Sequence, residues 1–342
     1  MRLVSERRGA ERLFNKAKSL TAVMAVFALL AACGDQEVLL PGERLDVHGQ
    51  PLGLDGAMVN RALPLPVPAA RINDQWTHRN GNAAHSISHP ALDGDLQNAW
   101  SVDIGSGNDR KHRISSDPVV ANGRVFAMDS RSLVTAVSTA GELVWQVDLT
   151  PSSDRPDDAS GGGLASVGGT LFATTGFGEL IALDAATGER IWSQDLDSAP
   201  SGPPTVSDGV VYVATRNSLG WAIDVENGRI LWQVLGAPSE SGAAGGSAPA
   251  IAGSLAIFPL PSGQMIAAVT GPGTQAWVAS VAGQRTGRAF SRFSDLTGDP
   301  VVRDNVVYAG NHSGRAAAFS AVTGQSIWRI DHGALNPMWV DG

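Results

Sequence analysis

Asp184-Ala-Ala-Thr-Gly-Glu-Arg-Ile-Trp192 is the stretch on which the fold turns, because the chain writes it again. It returns as Asp224-Val-Glu-Asn-Gly-Arg-Ile-Leu-Trp232 and as Ser320-Ala-Val-Thr-Gly-Gln-Ser-Ile-Trp328. Outward from these, Trp100, Trp145, Trp192, Trp232, Trp277 and Trp328 are spaced by 45, 47, 40, 45 and 51 residues. Measured from the turn that precedes each Trp, the interval is tighter. Gly123 to Trp145 is 22 residues, Gly169 to Trp192 and Gly209 to Trp232 are 23, and Gly253 to Trp277 is 24. Asn305, the equivalent turn residue, precedes Trp328 by 23. Length therefore varies in the joins between units. A period of 40–50 residues points to a propeller, solenoid or array.

The third unit shows what a unit contains. Pro204-Thr-Val-Ser-Asp-Gly209 ends in an Asp-Gly turn, and Val210-Val-Tyr-Val-Ala-Thr215 is a β-branched and aromatic run. Trp221-Ala-Ile-Asp224 is a third short strand, Glu226-Asn-Gly228 a turn, and Arg229-Ile-Leu-Trp-Gln-Val234 closes the unit. Tight turns join only antiparallel neighbours, so each unit is a four-stranded meander. No 15-residue window in the repeats holds a helical stripe, which excludes a parallel βαβ arrangement. A lone meander leaves both faces partly apolar; packing such sheets face to face around an axis buries them. The fold class is all-β, a β-propeller with five complete blades near 115–145, 161–192, 202–232, 247–277 and 297–328. One Trp at the same place in every unit suits blade-to-blade packing better than an aromatic platform for sugars or cations.

Composition excludes several chemistries. The 342 residues include 40 Gly, one Cys and only three Lys (Lys16, Lys18 and Lys111). No Gly-Lys-Ser/Thr occurs, so there is no P-loop. A Schiff base would have to rest on Lys111, in the polar run Asn108-Asp-Arg-Lys-His-Arg113. A single Cys excludes an internal disulfide framework and a Cys-rich metal site. Gly-x-Ser-x-Gly and His-Glu-x-x-His are absent. His85 and His89 are four apart, but Ser-Ile-Ser between them and Pro90 after them make a loop rather than a two-ligand helix face. The histidines are expected to be polar surface residues. The reading is of a non-enzyme with no catalytic, cofactor-binding or metal-binding residues.

The first 32 residues read as an address. Residues 1–20 carry six basic and two acidic side chains, and Thr21–Ala32 has no charge. That stretch is shorter than the about 20 apolar residues a membrane span needs, and its basic flank suits a secretory signal peptide. Leu30-Ala-Ala-Cys33-Gly34 resembles the bacterial lipobox, in which Cys33 receives the lipid; a plain signal peptide with an incidental Cys is the alternative. Residues 33–75, with Pro41, Pro51, Pro64, Pro66 and Pro68, are expected to be a flexible tether, followed by the propeller over 76–342. A short element at 87–96 is conceivable. Beyond residue 32 the chain has 19 Lys and Arg against 31 Asp and Glu, the reverse of a nucleic-acid binder. Anionic lipid would repel it as well, so membrane attachment rests on the lipid anchor.

WD repeats need a Trp-Asp pair at the blade end and kelch repeats a late Gly-Gly doublet; neither pattern is present. The Asp184–Trp192 pattern resembles the pyrroloquinoline-quinone-type (PQQ-like) propeller repeat. Within that superfamily, residues from about 99 to 342 resemble the BamB family of outer-membrane protein assembly factors. Ala99-Trp-Ser-Val-Asp-Ile-Gly-Ser-Gly107 is similar to that family's strand entering the first blade. Arg292-Phe-Ser-Asp-Leu-Thr-Gly-Asp-Pro-Val-Val302 is similar to its Arg-Leu-Ser-Asp loop, and Gly333–Gly342 to the opening of a further blade. The resemblance implies a non-catalytic lipoprotein of the outer membrane, facing the periplasm. Its partners would be the periplasmic POTRA domains of BamA and other subunits of the barrel-assembly machinery. Arg292 and Asp295 carry over as partner-binding positions. The family's second acidic position is Thr297 here, and its Leu- and Arg-bearing loop corresponds to Ser241-Gly-Ala-Ala-Gly-Gly246.

The family's eight blades imply a C-terminal truncation, with a sixth unit opening at 336–342 and stopping at its turn. Such a fragment is expected to expose an apolar edge and to be poorly soluble. Two rival readings share the repeat: a quinoprotein dehydrogenase, which is far longer and carries an adjacent Cys pair, and a periplasmic peptide- or carbohydrate-binding propeller.

Overall fold

The computed structural model describes residues 67–92, 94–239, 246–281 and 295–340. Over these the chain forms twenty strands in five four-stranded antiparallel sheets, each with its strands in sequence order. The sheets span 119–148, 162–195, 205–235, 250–280 and 301–330. This is the β-propeller expected from the repeat, with five blades.

The third sheet shows why these residues take this form. Its strands are Thr205–Ser207, Val210–Ala214, Leu219–Asp224 and Ile230–Leu235. The two middle strands are buried over four consecutive residues each. Continuous rather than alternating burial means that both faces of the sheet are covered. The alternation is instead between neighbours. Val211, Val213, Trp221 and Ile223 pack against Phe172, Leu180 and Ala182 of the second sheet. Tyr212, Ala214 and Ala222 pack against Ala256, Phe258 and Ile266 of the fourth. Two further clusters join the first sheet to the second and the fourth to the fifth.

Each fourth strand lies on the outside of its sheet and is mostly exposed, with its Trp turned inward in the first four sheets, as in Arg190–Asp195 and Ile230–Leu235. Every one pairs with its neighbour through a register shift next to an Ala that faces the Trp: Ala136 with Trp145, Ala182 with Trp192, Ala222 with Trp232, Ala267 with Trp277, and Ala318 with Trp328. The small side chain leaves room for the indole. In four sheets an aromatic on the second strand completes the stack, with ring centroids 5.8 to 6.1 Å apart: Phe126–Trp145, Phe172–Trp192, Tyr212–Trp232 and Tyr308–Trp328.

The indole then reaches the next sheet. Trp192 Nε1 donates to Val225 O (2.9 Å), Trp145 to Ala185 O (3.2 Å), Trp232 to Thr270 O (3.1 Å) and Trp277 to Ala321 O (2.8 Å). Trp100, ahead of the first sheet, makes the same bond to Thr139 O (3.1 Å). Each acceptor sits in the turn between the third and fourth strands of the following sheet, and the ring lies against a Gly in that turn. At Gly188, with φ of +77°, a Cβ would come within 2.8 Å of the Trp145 ring. The turn itself is tied by Asp184 Oδ1, which accepts from the N–H groups of Ala186 and Thr187 at 2.8 and 2.9 Å. The stretch Asp184–Trp192 is therefore both the seat for one sheet's Trp and the source of the next.

Candidate functional site

The innermost strands of the five sheets, rather than their outer edges, carry the unexpected polar chemistry. A strand at a sheet edge leaves alternate N–H groups unpaired. At the inner edge these are taken up by residues 76–84, which run from sheet to sheet. Val120 N–H donates to Trp76 O (2.8 Å), Ser166 N–H to Thr77 O (2.8 Å), Ile251 N–H to Ala83 O (2.9 Å) and Val302 N–H to Ala84 O (2.9 Å). In the third sheet the acceptor is a side chain, His78 Nε2, at 3.0 Å from Val206 N.

Two tight turns shape this axial segment. Thr77 N–H and Gly81 O close one, and His85 N–H and Asn82 O the other (3.1 and 3.0 Å). Asn80, Gly81 and His85 take positive φ of 60°, 90° and 55°. Asn and Gly are the residues that tolerate such a backbone. Arg79 crosses to the connectors: Nη1 donates to Gly246 O (2.9 Å), and Nε lies 3.1 Å from Asp117 and 3.4 Å from Asp299. Asp299, 1% exposed, also accepts from Asn80 Nδ2 (2.7 Å) and Ala248 N–H (2.7 Å). A buried carboxylate persists only where a cation and hydrogen bonds meet it, as here.

Three histidines are buried, which corrects the expectation that they lie on the surface: His78, His85 and His112 are 3%, 1% and 6% exposed. The reason is that each ring has protein partners. Because His78 Nε2 accepts, its proton sits on Nδ1 and points to Thr77 Oγ1 at 2.8 Å. Burial, with His85 nearby, lowers the His78 pKa to about 4. His85 Nδ1 faces Pro300 O at 3.0 Å; burial lowers its pKa too, against an opposing pull from Asp299. His89 turns instead to Pro68 O (2.8 Å), so the two rings four apart go to different places. His112 is held between Asp109 (2.9 Å to Oδ2) and Asp157 O (3.0 Å), and the Asp109 carboxylate raises its pKa.

Of the partner-binding positions read from sequence, Arg292 lies outside the described residues, as does the lipidation candidate Cys33. Asp295 is described. It is 4% exposed and lines a small cavity with Ser201, Gly246, Ser247, Leu260 and Leu296. This cavity sits where the connectors into the fourth and fifth sheets meet. Ser247 holds the two together, its Oγ donating to Leu296 O and, at 2.9 Å, to Gly298 O. The Trp positions all lie in blade-to-blade contacts except Trp328, which stands over Tyr308 on its own sheet and is 38% exposed. Among the described residues no group of three His, Cys, Asp or Glu is arranged to hold a metal ion. The axial segment was not read as part of the propeller's interior from sequence; its only local signals are Asn-Gly and the clustered His, Arg and Asn.

Residues 130–342, well over half of the chain, match the family model described as outer membrane protein assembly factor BamB. The chain is 32% identical to the BamB of Yersinia pestis over 250 residues, covering 71% of this chain and 63% of that protein. It is 29% identical to the BamB of Moranella endobia over 252 residues, covering 72% and 65% respectively. The chain thus spans somewhat under two thirds of these relatives' length. Among solved structures it resembles BamB from Moraxella catarrhalis, with a TM-score of 0.56 and 23% identity over 68% of this chain and 69% of that one. A europium-containing methanol dehydrogenase superposes with a TM-score of 0.60 at 18% identity, covering 75% of this chain and 58% of that one. Those two likenesses speak to the fold.

Proposed function

The chain belongs to the BamB family of outer membrane protein assembly factors, and from that membership we propose a non-catalytic scaffold that serves β-barrel insertion. The observation that carries the reading is the family match across four of the five sheets and into the first, residues 130–342. Within it, the chain docks the periplasmic POTRA domains of BamA through the connector into the fifth sheet. Arg292 and Asp295 lie in that connector, and the cavity beside Asp295 adjoins the connector into the fourth sheet. Lipid attachment at Cys33, on the periplasmic face of the outer membrane, belongs to the same proposal and is supported by the basic-flanked apolar stretch that ends at the lone Cys. The dehydrogenase alternative has only the shared fold behind it, and the inner edge of these sheets is occupied by the chain's own Trp76–Ala84.

The test is capture of BamA from detergent-solubilised membranes by the tagged full chain. BamA should co-purify, and Arg292→Glu and Asp295→Asn should each reduce capture while leaving the melting temperature within about 2 °C. The Asn substitution preserves volume in the cavity, so a loss reports charge. Absence of any barrel-assembly subunit from the wild-type capture overturns the function; unchanged capture by both variants overturns the site.

A further inference from the structure

The innermost strands present one N–H donor per sheet at equivalent positions: Val120, Ser166, Val206, Ile251 and Val302. All five are used by a single stretch of chain. Four of the acceptors are main-chain carbonyls, which any residue type supplies. The bonds link residues from 44 to 218 apart in sequence, so nothing local enforces them. The remaining anchors are side chains at the middle of the stretch, where Arg79 and Asn80 meet Asp117, Asp299 and Gly246 O.

We propose that the inner rim of the propeller is a binding track for a turned polypeptide segment, and that residues 76–85 are its tethered ligand. The track reads backbone through the row of amides and selects sequence at two places. One is the imidazole acceptor at the third sheet; the other is the Arg-Asn pair that neutralises Asp299. A ligand seated on five sheets at once couples them: its release frees one amide in every sheet, not only those nearest the point of disturbance. Any outside peptide that enters the rim must displace this segment.

Hydrogen exchange on the full chain tests this directly, since each amide reports its own protection. Arg79→Met removes the central anchor while keeping an apolar stem. The five amides should then exchange about tenfold or more faster together, while Ala173 and Ala222, inside the second and third sheets, keep wild-type rates. A synthetic peptide covering residues 74–87 should restore protection when added to the variant; a scrambled peptide of the same composition should not. Should Arg79→Met fail to fold because Asp299 is left unpaired, Arg79→Met with Asp299→Asn carries the same measurement. Acceleration confined to Ile251 and Val302, spread to Ala222, or not reversed by the peptide overturns the proposal.

Discussion

Trp192 and Gly228 together state the rule of assembly. The Trp ring stacks on Phe172 in its own sheet, its N–H bonds Val225 O, and its face rests on a glycine of the next sheet. The Trp was legible in the sequence because its spacing repeats; the Gly four residues ahead of the next Trp was legible only as a turn. What spacing could not show is that the two residues touch across sheets, since the partner of each Trp lies 33 to 44 residues downstream. Trp192→Phe keeps the stack and removes one partly buried hydrogen bond, so urea unfolding should show a loss of about 1 kcal/mol. Trp328→Phe, at a half-exposed ring, should cost less than about 0.5 kcal/mol. Equal effects would show that the indole N–H contributes nothing to blade packing.

The axial segment opens the 76–342 stretch expected to be propeller, and nothing in its sequence marks it as the part that runs along the inner strands. Strands were legible because β-branched runs and the Gly, Asn and Asp turns that bound them are local. Residues 76–85 have no such pattern; their partners are supplied by five separate sheets, and only the assembled fold brings those together. The burial of Asp295 was illegible for a similar reason, because the cavity around it is built by connectors from two sheets. Asp299 shows what the element is worth. Its carboxylate offsets Arg79, whose side chain is 11% exposed, and receives two further hydrogen bonds. Asp299→Ala leaves a largely buried guanidinium to the more exposed Asp117 and deprives Asn80 Nδ2 and Ala248 N–H of their acceptor, and should lower stability by about 3 kcal/mol. Adding Arg79→Met removes the guanidinium that Asp299 helped to offset, so the double variant should regain part of that loss. Additive losses in guanidinium unfolding would mean that the two side chains do not act as a pair.

Across the whole molecule, two sets of histidines set opposite pH dependences. His112 is favoured in its charged form by Asp109, so its contribution is present at low pH and lost as pH rises through its raised pKa. His78 and His85 are favoured neutral. An unfolded imidazole titrates near 6.5, whereas burial, with His85 beside it, holds the native His78 ring down to about 4. Between those values the unfolded chain binds the extra proton, so stability must fall as pH is lowered from about 6.5 toward 4. His78 alone accounts for roughly 3 kcal/mol across that window, and His85 adds in the same direction. Protonation at Nε2 also deletes the acceptor of Val206 N–H, placing the weak point where the axial segment meets the third sheet. His78→Gln can supply a carbonyl oxygen to the same N–H without titrating. Urea unfolding from pH 7.5 to 4.5 should therefore show a clearly shallower decline in the Gln variant than in the wild type. An unchanged slope would assign the acid sensitivity to other groups and leave His78 a purely structural acceptor.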